Sequence, residues 1–497
     1  MKKSKCIRAI LVVAVVLMGC MSGEKKEIQE PGNRPNFLFI FTDDQTNESI
    51  NAINNKEVST PNLDKLANSG VVFTHCFNQG SWGGAVCIAS RAMLITGQYM
   101  YSARERVAHD PLWVEGFTKA GYETFLTGKW HNKDETALKS FKYAEAIGGG
   151  MYESMHPTEK WHPAYGRPTA TNNSWKPWDP LFTGHWTPKV KDIVYDENGE
   201  KKISEKYQIP QHTSELYADR AINFLQTRVK DSDNPFFMYV AFNAPHDPRQ
   251  SPKEFVDMYP PENVAVPKNF VEQHSFDQGD RRVRDENLAS HPRTVDQLKV
   301  QRGEYYAIIS HADQQIGRIL KALEESGKAD NTYIIFSSDH GLAMGKHGLY
   351  GKQNQYDHSV RMPLIIAGPG LEGGRIEDAL VYLPCIFPTT YDIAGLDTPE
   401  TVDFMSLNDI LQGKDTEGYD AIFGTYRNFQ RMVRTQKHKL IVYPHNGVQQ
   451  LFDMEKDPEE MHNRIDDPDY GPIKAELYKK LQELQKETGD TLKLAFH

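Results

Sequence analysis

The sequence predicts an α/β fold, with a large, mainly parallel β-sheet sandwiched by helices and a small C-terminal antiparallel sheet and helix. Three observations support this: short, wholly apolar runs, helical stretches between them, and a change of pattern near the C-terminus. Strands buried on both faces are continuously apolar, and strands that alternate with helices typically form a parallel sheet. With 497 residues, the chain is long enough for one large domain and a smaller one.

The predicted elements follow one another in a regular order. Apolar runs typical of buried strands occur at residues 36–42, 71–73, 236–242, 333–338 and 364–367. Helical patterns occur at 60–67, 89–94, 214–225 and 304–325. Short alternating segments near 431–442 and an amphipathic helix near 473–484 end the chain. We therefore predict a main domain over residues 34–397 and a subdomain over 398–497.

The first residues have the pattern of an export signal. Basic residues precede the apolar run 9–18, which is too short to span a bilayer comfortably and suits a signal-peptide core. The stretch 17–20 resembles a bacterial lipobox, in which Cys20 would be lipidated. We predict a lipoprotein signal peptide at 1–19 and a polar tether at 20–33. The expected location is the periplasm or the outer-membrane surface, with membrane contact only through the N-terminal lipid; ordinary signal-peptide cleavage is the alternative.

Charge and cysteine content narrow the possible classes of protein further. A net charge of −10 and a pI near 6.0 argue against nucleic acid as a partner. Of five cysteines, Cys6 and Cys20 belong to the signal region. The remaining Cys76, Cys87 and Cys385 form no disulfide framework, and the sequence leaves open whether Cys76 and Cys385 pair.

Polar residues follow three of the predicted strands at their carboxyl ends. Asp43 and Asp44 follow the first strand, His246 follows the 236–242 run, and Asp339 with His340 follows the 333–338 run. In open α/β sheets, ligands bind at this edge. Three carboxylates suit Ca²⁺ or Mg²⁺. The alternative is that such acids cap the next helix or solvate a turn.

A cysteine and an arginine lie one helical turn apart after the glycine-rich loop 80–84. Cys87 and Arg91 would share a helix face, with Cys87 near a helix N-terminus that favours anions. Alone this pattern is weak, because a buried cysteine and a surface arginine match it by chance. The stretch 121–131, which ends Gly128-Lys129-Trp130-His131, follows it along the chain.

The stretches 87–91 and 121–131 together resemble the paired signatures of the sulfatase family, whose fold is that of the alkaline phosphatases. In that family the cysteine of C-x-P-x-R is converted to formylglycine, and the second signature ends G-K-x-H. Ala89 stands where the commoner motif has proline; the family tolerates alanine there, and the departure bears on which maturation enzyme acts. The resemblance extends from about Pro35 to the C-terminus and implies hydrolysis of a sulfate ester by the 34–397 domain.

The resemblance also implies roles for individual residues. The metal, usually Ca²⁺ with Mg²⁺ as the alternative, would be held by Asp43, Asp44, Asp339, the modified Cys87 and His340. His340 occupies a position where many members have Asn or Gln, and a nitrogen ligand is softer. Hydrated formylglycine would supply the nucleophile, and the cationic clamp on the sulfate would be Arg91, Lys129 and Lys352. His131 would act as base and His246 would protonate the leaving oxygen.

The substrate pocket is less sharply indicated. Four of the seven tryptophans (Trp161, Trp175, Trp178 and Trp186) lie in the irregular segment 148–188, where they either stack on sugars or pack a loop. The candidate substrate contacts are His109, Asp110, His185 and Trp186. Arg281, Arg282 and Arg284 either reach an acidic polymer or form a solvated charge run.

Export and a lipid anchor favour a sulfated carbohydrate as substrate, with a formylglycine-generating enzyme as the second partner. One alternative is a phosphonate or phosphate ester hydrolase of the same fold. Another is a non-catalytic lipoprotein that binds glycans, which predicts loss of the nucleophile or of a clamp residue. The sequence leaves open the sugar, the sulfated position, exo or endo action and the oligomeric state.

Overall fold

The fold is taken from a computed structural model that describes residues 34–53, 56–150, 176–180, 184–280, 283–414 and 417–494. The predicted signal peptide, Cys20, the tether, Trp161, Trp175, Arg281 and Arg282 lie outside the described residues.

The structure contains strands and helices along its whole described length. The strands are β1 (Asn36–Thr42), β2 (Val71–Phe77), β3 (Gly80–Ser81), β4 (Glu123–Lys129), β5 (Tyr143–Gly148), β6 (Lys189–Lys191), β7 (Ile193–Tyr195), β8 (Lys201–Ile203), β9 (Tyr207–Gln208), β10 (Phe236–Ala241), β11 (Thr332–Ser338), β12 (Arg361–Ala367), β13 (Arg375–Glu377), β14 (Val381–Tyr382), β15 (Ile422–Tyr426), β16 (Gln430–Arg434), β17 (His438–Tyr443) and β18 (Val448–Asp453). The α-helices are α1 (Pro61–Ser69), α2 (Val86–Thr96), α3 (Met100–Arg106), α4 (Trp113–Lys119), α5 (Asp134–Ser140), α6 (Thr213–Phe224), α7 (Lys253–Val256), α8 (Val295–Glu325), α9 (Asp357–Val360), α10 (Ile386–Ala394), α11 (Asn408–Leu411) and α12 (Gly471–Glu487).

The large sheet has the strand order β13-β2-β12-β11-β1-β10-β4-β5-β6-β9, and β14 also pairs with β2. Its centre is parallel, because β1 pairs in parallel with both β10 and β11, and β4 pairs in parallel with β10 and β5. Antiparallel pairing occurs on both sides, at β12 and at β6 and β9. The predicted mainly parallel sheet is therefore confirmed.

Helices cover both faces of this sheet, as alternate residues of its central strands show. In β1, Phe37, Phe39 and Phe41 pack into the core with α4 and α10, whereas Leu38 and Ile40 pack with α1, α6 and α8. Every residue of β1 is buried, which explains its continuous apolar run. Helix α8 begins at Val295, earlier than its predicted start near residue 304, because Thr294 caps it by accepting from the Gln297 amide.

The second sheet has the order β18-β17-β16-β15-β3, and α12 packs on it through Leu477 and Leu481. The four C-terminal strands are antiparallel, as predicted. The fifth strand is β3, which comes from the loop before Cys87 and pairs in parallel with β15. Gly80 permits this pairing, because a Cβ at its φ of +86° would lie 2.0 Å from the Thr425 carbonyl oxygen.

Within the described ranges, no helix combines the length and the apolar character needed to cross a lipid bilayer.

Candidate active site

The central parallel strands bring the predicted acids together at their carboxyl ends. Asp43 and Asp44 follow β1, and Asp339 follows the neighbouring β11. The backbone amide of Asp44 donates to Asp339 Oδ1 at 3.1 Å, and that of Asp339 donates to the Thr42 carbonyl at 3.2 Å. Asp44 adopts a φ of +69°, a left-handed conformation that non-glycine residues seldom adopt away from special sites. The chain thus turns sharply at this edge and holds three carboxylates in one place.

Helix α2 brings Cys87 to these acids. The helix begins at Val86, so Cys87 lies in its first turn, and its thiol is 2% exposed. The Cys87 Sγ lies 3.2 Å from Asp43 Oδ1, and Lys352 Nζ donates to it at 2.8 Å. Arg91, one turn later, donates through Nε to Asp339 Oδ2 at 2.9 Å and through Nη1 to the Lys129 carbonyl at 2.6 Å.

Each acid is paired with one buried cation. Lys129 at the end of β4 binds Asp43, Lys352 binds Asp44, and Arg91 binds Asp339. Unpaired charges would be very costly at this depth, so the one-to-one pairing allows six ions to be buried together. Gly128 and Gly351 permit close backbone approach, since a Cβ would lie 1.9 Å from the Ala241 oxygen in the first case and 2.5 Å from Gln353 Oε1 in the second.

Four of the predicted metal ligands fit a divalent cation. Ligand atoms of Asp43, Asp44, Cys87 and Asp339 all lie within 4.8 Å of one another, and all four residues are buried. Carboxylate oxygens at this density are the donors that Ca²⁺ and Mg²⁺ prefer. His340 is outside this group in the part of the chain that the structure describes. Its Nδ1 donates to the Gly341 carbonyl at 3.0 Å, so only Nε2 is left for a ligand, and its role at the metal stays a prediction.

Burial and local charge shift the ionisation of this centre. Burial and the charges of Asp339 and Asp43 raise the pKa of the Cys87 thiol well above its usual range. Burial also opposes ionisation of Asp43, but Lys129 and other cations outweigh it and hold the pKa of that carboxyl well below its usual value. Burial and the charge of Asp43 raise the pKa of Asp339 to about 6. The unmodified cysteine is therefore a neutral thiol at pH 7.

The two predicted catalytic histidines approach the centre differently. His131 has a φ of +55°, and its buried Nδ1 has no hydrogen-bond partner among the described residues. Burial and the cations Lys129 and Arg91 lower the pKa of His131 well below its usual value. His246 places Nδ1 2.7 Å from the Asp247 carbonyl and Nε2 3.9 Å from Asp44 Oδ2.

A cavity of about 260 Å³ opens above Cys87. The predicted residues that line it are Cys87, Lys129, His131, His246 and Lys352. Arg91 is fully buried and does not line the cavity, but it binds Asp339 and the carbonyl of the lining residue Lys129. The cavity is large enough for a sulfate group and the ring that carries it.

Sequence reasoning did not place Arg284 in this cavity. Arg284 lines it, donates through Nε to Asp285 Oδ1 at 2.6 Å, and places Nη2 3.4 Å from His246 Nε2. Its Nη2 also donates to Asp247 Oδ1 at 3.3 Å. A solvated charge run is thus the wrong interpretation for Arg284. Its sequence neighbourhood is rich in charged residues, and no local pattern shows that this segment folds back over the sheet edge.

The predicted substrate contacts are not brought to the cavity. Both ring nitrogens of His185 have protein partners, with Nδ1 2.6 Å from Thr213 Oγ1 and Nε2 3.0 Å from the His246 carbonyl. The Trp186 indole donates to the Pro177 carbonyl at 3.0 Å. As a correction to the sequence-based prediction, neither side chain lines the cavity above Cys87, and their polar atoms already have protein partners.

The same correction applies to Asp110, whose carboxylate accepts from Gln98 at 2.6 Å and pairs with Arg106 at 2.6 Å. His109 is exposed and does not line the cavity above Cys87. Trp178 lies beside Lys253, 5.3 Å from its Nζ, and does not line that cavity either. Cys76 and Cys385 are buried free thiols.

Comparison with known families gives two matches that together span most of the chain. The sulfatase family model matches residues 35–396. The model described as N-sulphoglucosamine sulphohydrolase, C-terminal, matches residues 345–487.

Curated relatives match over nearly their whole length. An arylsulfatase of Clostridium perfringens is 31% identical over 452 residues, covering 88% of this chain and 91% of the relative. An N-acetylglucosamine-6-O-sulfatase of Bacteroides thetaiotaomicron is 25% identical over 567 residues, covering 99% of this chain and 92% of the relative.

Solved structures share the fold. One, described as a complex with its substrate D-glucosamine-2-N,6-O-disulfate, has a TM-score of 0.70 at 23% identity and covers 92% of this chain and 99% of its own. A phosphonate monoester hydrolase of Agrobacterium radiobacter has a TM-score of 0.69 at 24% identity, with coverage of 92% and 96%. At such identities the likeness shows the fold alone. The family match over most of the chain shows more: the chain belongs to the sulfatase family of sulfuric ester hydrolases.

Proposed function

We propose that this sulfatase removes sulfate from carbohydrates, using a formylglycine made from Cys87 and a divalent cation, Ca²⁺ or Mg²⁺. The observation that carries the proposal is the position of Cys87, which lies between three carboxylates and three cations and opens on a cavity. Carbohydrate as the substrate class is supported by relatives. These include the N-acetylglucosamine-6-O-sulfatase and an ulvan-active sulfatase of Formosa agariphila, 27% identical over 518 residues with coverage of 99% of this chain and 89% of the relative.

The environment of Cys87 supports its conversion to another group. A thiol whose pKa is raised by burial and by neighbouring carboxylates is protonated, and the protonated form is a poor nucleophile. An aldehyde hydrate at position 87 would supply an attacking oxygen in place of the sulfur. The Lys352 ammonium lies 2.8 Å from Sγ. It is therefore positioned to stabilise negative charge on the oxygen that would replace this sulfur.

The clamp cations bind the sulfate. Lys129 and Lys352 both line the cavity, so they can contact sulfate oxygens directly. Fixed cations in a buried site cost no reorganisation when charge develops in the transition state. Arg91 acts from below, where it orients Asp339 and the carbonyl of Lys129.

The histidines divide the proton transfers. His246 donates its Nδ1 proton to the Asp247 carbonyl, which leaves Nε2 facing the cavity to carry a proton for the leaving oxygen. Burial opposes the charged form of His246, but Asp247, Asp43 and Asp44 outweigh it and raise its pKa. Burial and adjacent cations keep His131 neutral. His131 therefore accepts the proton when the sulfated group at residue 87 breaks down and a base is required.

The metal would be held by Asp43, Asp44, Asp339 and the modified residue 87. It would supply positive charge that orients the sulfate and offsets the carboxylates. His340 is the proposed additional ligand through its Nε2.

The test is sulfate release from a panel of sulfated mono- and oligosaccharides, with aryl sulfates, phosphate esters and phosphonate esters alongside. The protein must first be shown by peptide mass to carry formylglycine at residue 87, and Cys87→Ala protein is the control. We expect release from a carbohydrate sulfate that is abolished in the control. Turnover of aryl sulfates alone would contradict the carbohydrate proposal, and turnover of phosphonates alone would favour the hydrolase alternative, whose fold is shared.

We further propose that the protein is exported and anchored through a lipid on Cys20. The N-terminal basic and apolar segments and the lipobox-like stretch support this. Cell fractionation tests it: the wild-type chain should be in the membrane fraction, and Cys20→Ser protein should not carry the lipid. Equal distribution of both proteins would contradict the anchor.

A further inference from the structure

A second cavity adjoins the one above Cys87. It has a volume of about 690 Å³, and His131 and Gly150 line both cavities. A ligand whose reacting group lies above Cys87 can therefore continue past His131 into the larger space. None of the roles derived above for catalysis uses this second cavity.

The charged side chains that line the second cavity are mostly cationic. They are Arg104, Lys133, Asp134, Lys189, Lys191 and Lys206. Asp134, the single acid among the described residues that line the cavity, pairs with Lys191 at 2.6 Å. Lys133 and Lys189 are exposed to solvent, as is Arg104. Five cations around one cavity contrast with the net charge of −10 for the whole chain.

These cations come from separate parts of the fold. Arg104 is in α3, Lys133 precedes α5, Lys189 is in β6, and Lys206 precedes β9. Lys206, which directly precedes the edge strand β9, could serve only to prevent edge-to-edge pairing of strands. That explanation does not cover Arg104 and Lys133, which are on no edge strand and still line the same cavity. The convergence therefore fits recognition of an anion.

Apolar residues also line the cavity. Trp82 is half-buried and lines it together with Ile88 and Ile147. An indole and cations in one cavity are the groups that an acidic sugar would contact, its ring through the aromatic side chain and its charged group through a cation.

We infer that this cavity binds a second anionic group of the substrate, on a sugar adjacent to the one whose sulfate lies above Cys87. The inference rests on the proposed carbohydrate function. It makes the preferred substrate an acidic oligosaccharide, in which the second group is a carboxylate or another sulfate. The binding energy of that group is gained away from the reacting bond.

Binding to full-length Cys87→Ala protein tests this without turnover. The ligands are a sulfated, uronate-containing heparin tetrasaccharide, tetragalacturonate, which carries carboxylates only, and neutral chitotetraose. Lys133→Glu/Lys189→Glu in this background removes two cavity cations. Lys202→Glu/Lys230→Glu is the matched control, because both lysines are exposed, line neither cavity and give the same change in net charge.

We expect the heparin tetrasaccharide to bind more tightly than chitotetraose, and its Kd to rise about tenfold in Lys133→Glu/Lys189→Glu protein. The control should bind as the parent does, and raised salt should weaken binding of the parent more than that of the cavity variant. If tetragalacturonate binds and its binding depends on the same lysines, the second group is a carboxylate. If only the heparin ligand shows lysine-dependent binding, the second group is a sulfate.

Equal weakening in both double variants, or no weakening in either, would overturn the inference. If the Cys87→Ala protein shows lysine-dependent binding but the matured enzyme releases no carbohydrate sulfate, the subsite is supported and the proposed function is rejected. If the matured enzyme releases carbohydrate sulfate but binding does not depend on these lysines, only the subsite is rejected.

Discussion

Two buried charge clusters in this molecule look alike and are used differently. The catalytic cluster consists of Cys87 with Asp43, Asp44, Asp339, Arg91, Lys129 and Lys352. The Lys439 cluster, beneath the second sheet, consists of Asp357, Arg434, Lys439 and Glu460. In the latter, Lys439 Nζ lies 2.8 Å from Asp357 Oδ1 and 2.7 Å from Glu460 Oε1, with every member buried.

The difference is in what surrounds the ions. The catalytic cluster gathers a thiol and three carboxylates within 4.8 Å of one another beside a cavity. The Lys439 cluster lines neither cavity near Cys87, and its acids are bound by side chains and by the backbone amide of Asp357. Buried ion pairs alone therefore do not indicate catalysis. Convergence of ligand atoms next to open space does.

The largest expected effect separates the clusters by activity. Cys87→Ala should lower sulfate release by about 10⁵-fold or more, because it removes the residue proposed to supply the nucleophile. Its free energy of unfolding should change by less than about 1 kcal/mol, since only a neutral thiol is lost. Sulfate release and urea denaturation on the same preparations measure both. Residual activity near wild type would show that another residue is the nucleophile.

The next effect is on stability. Lys439→Ala should lower the free energy of unfolding by about 3–5 kcal/mol, because Asp357 and Glu460 lose their shared buried cation. Activity per folded molecule should be retained. Lys437→Ala is the matched control, as Lys437 is on the same hairpin and 64% exposed, and should be neutral within about 0.5 kcal/mol. Equal destabilisation by both substitutions would show that the hairpin, not the ion cluster, is sensitive.

Chelation should affect only the catalytic cluster. Treating matured enzyme with EDTA should abolish sulfate release and lower the melting temperature. A metal ion present at a hundredfold its Kd contributes about 2.7 kcal/mol to the free energy of unfolding. Adding back Ca²⁺ or Mg²⁺ identifies the ion. Lys439→Ala protein should show the same chelator shift as wild type. A melting temperature and activity indifferent to EDTA would argue against a metal at the Asp43, Asp44 and Asp339 carboxylates.

The smallest expected effect concerns the proton donor. Asp247 raises the pKa of His246, and the proposed role of His246 as proton donor to the leaving oxygen requires its charged form. Asp247→Asn should lower that pKa, so the alkaline limb of the kcat/KM profile should move to lower pH while the acid limb stays in place. The pH–rate profile on one sulfate ester measures this. An alkaline limb that does not move would mean that His246 is not the acid or that Asp247 does not act on it.

The sequence predicts the catalytic centre better than the substrate pocket for a physical reason. Asp43, Asp44 and Asp339 directly follow strands, so local pattern and the geometry of a parallel sheet place them at one edge. Cys87 and Arg91 lie on one helix turn, which fixes their spacing without knowledge of the rest of the fold. In each case a short segment determines the position.

The side chains around the substrate depend on long-range packing. The two ring nitrogens of His185 hydrogen-bond to Thr213 and to the His246 carbonyl, and no local pattern reveals these partners. Arg284 reaches His246 only because its segment folds over the sheet edge. The parallel pairing of β3 with β15 is equally remote in sequence, and two residues are too short to be recognised as a strand.

That pairing sets an order of assembly. Gly80 and Ser81 pair with Thr425 and Tyr426, so the segment leading to Cys87 stays without its partner strand until the chain has been synthesised beyond β15. Once β3 is in place, Cys87 is 2% exposed and lines the cavity of about 260 Å³ that opens above it. A cavity of that size does not admit a protein, so the proposed conversion of Cys87 by a maturation enzyme is expected before this pairing forms. The C-terminal strands would thus set the end of the period during which the conversion can take place.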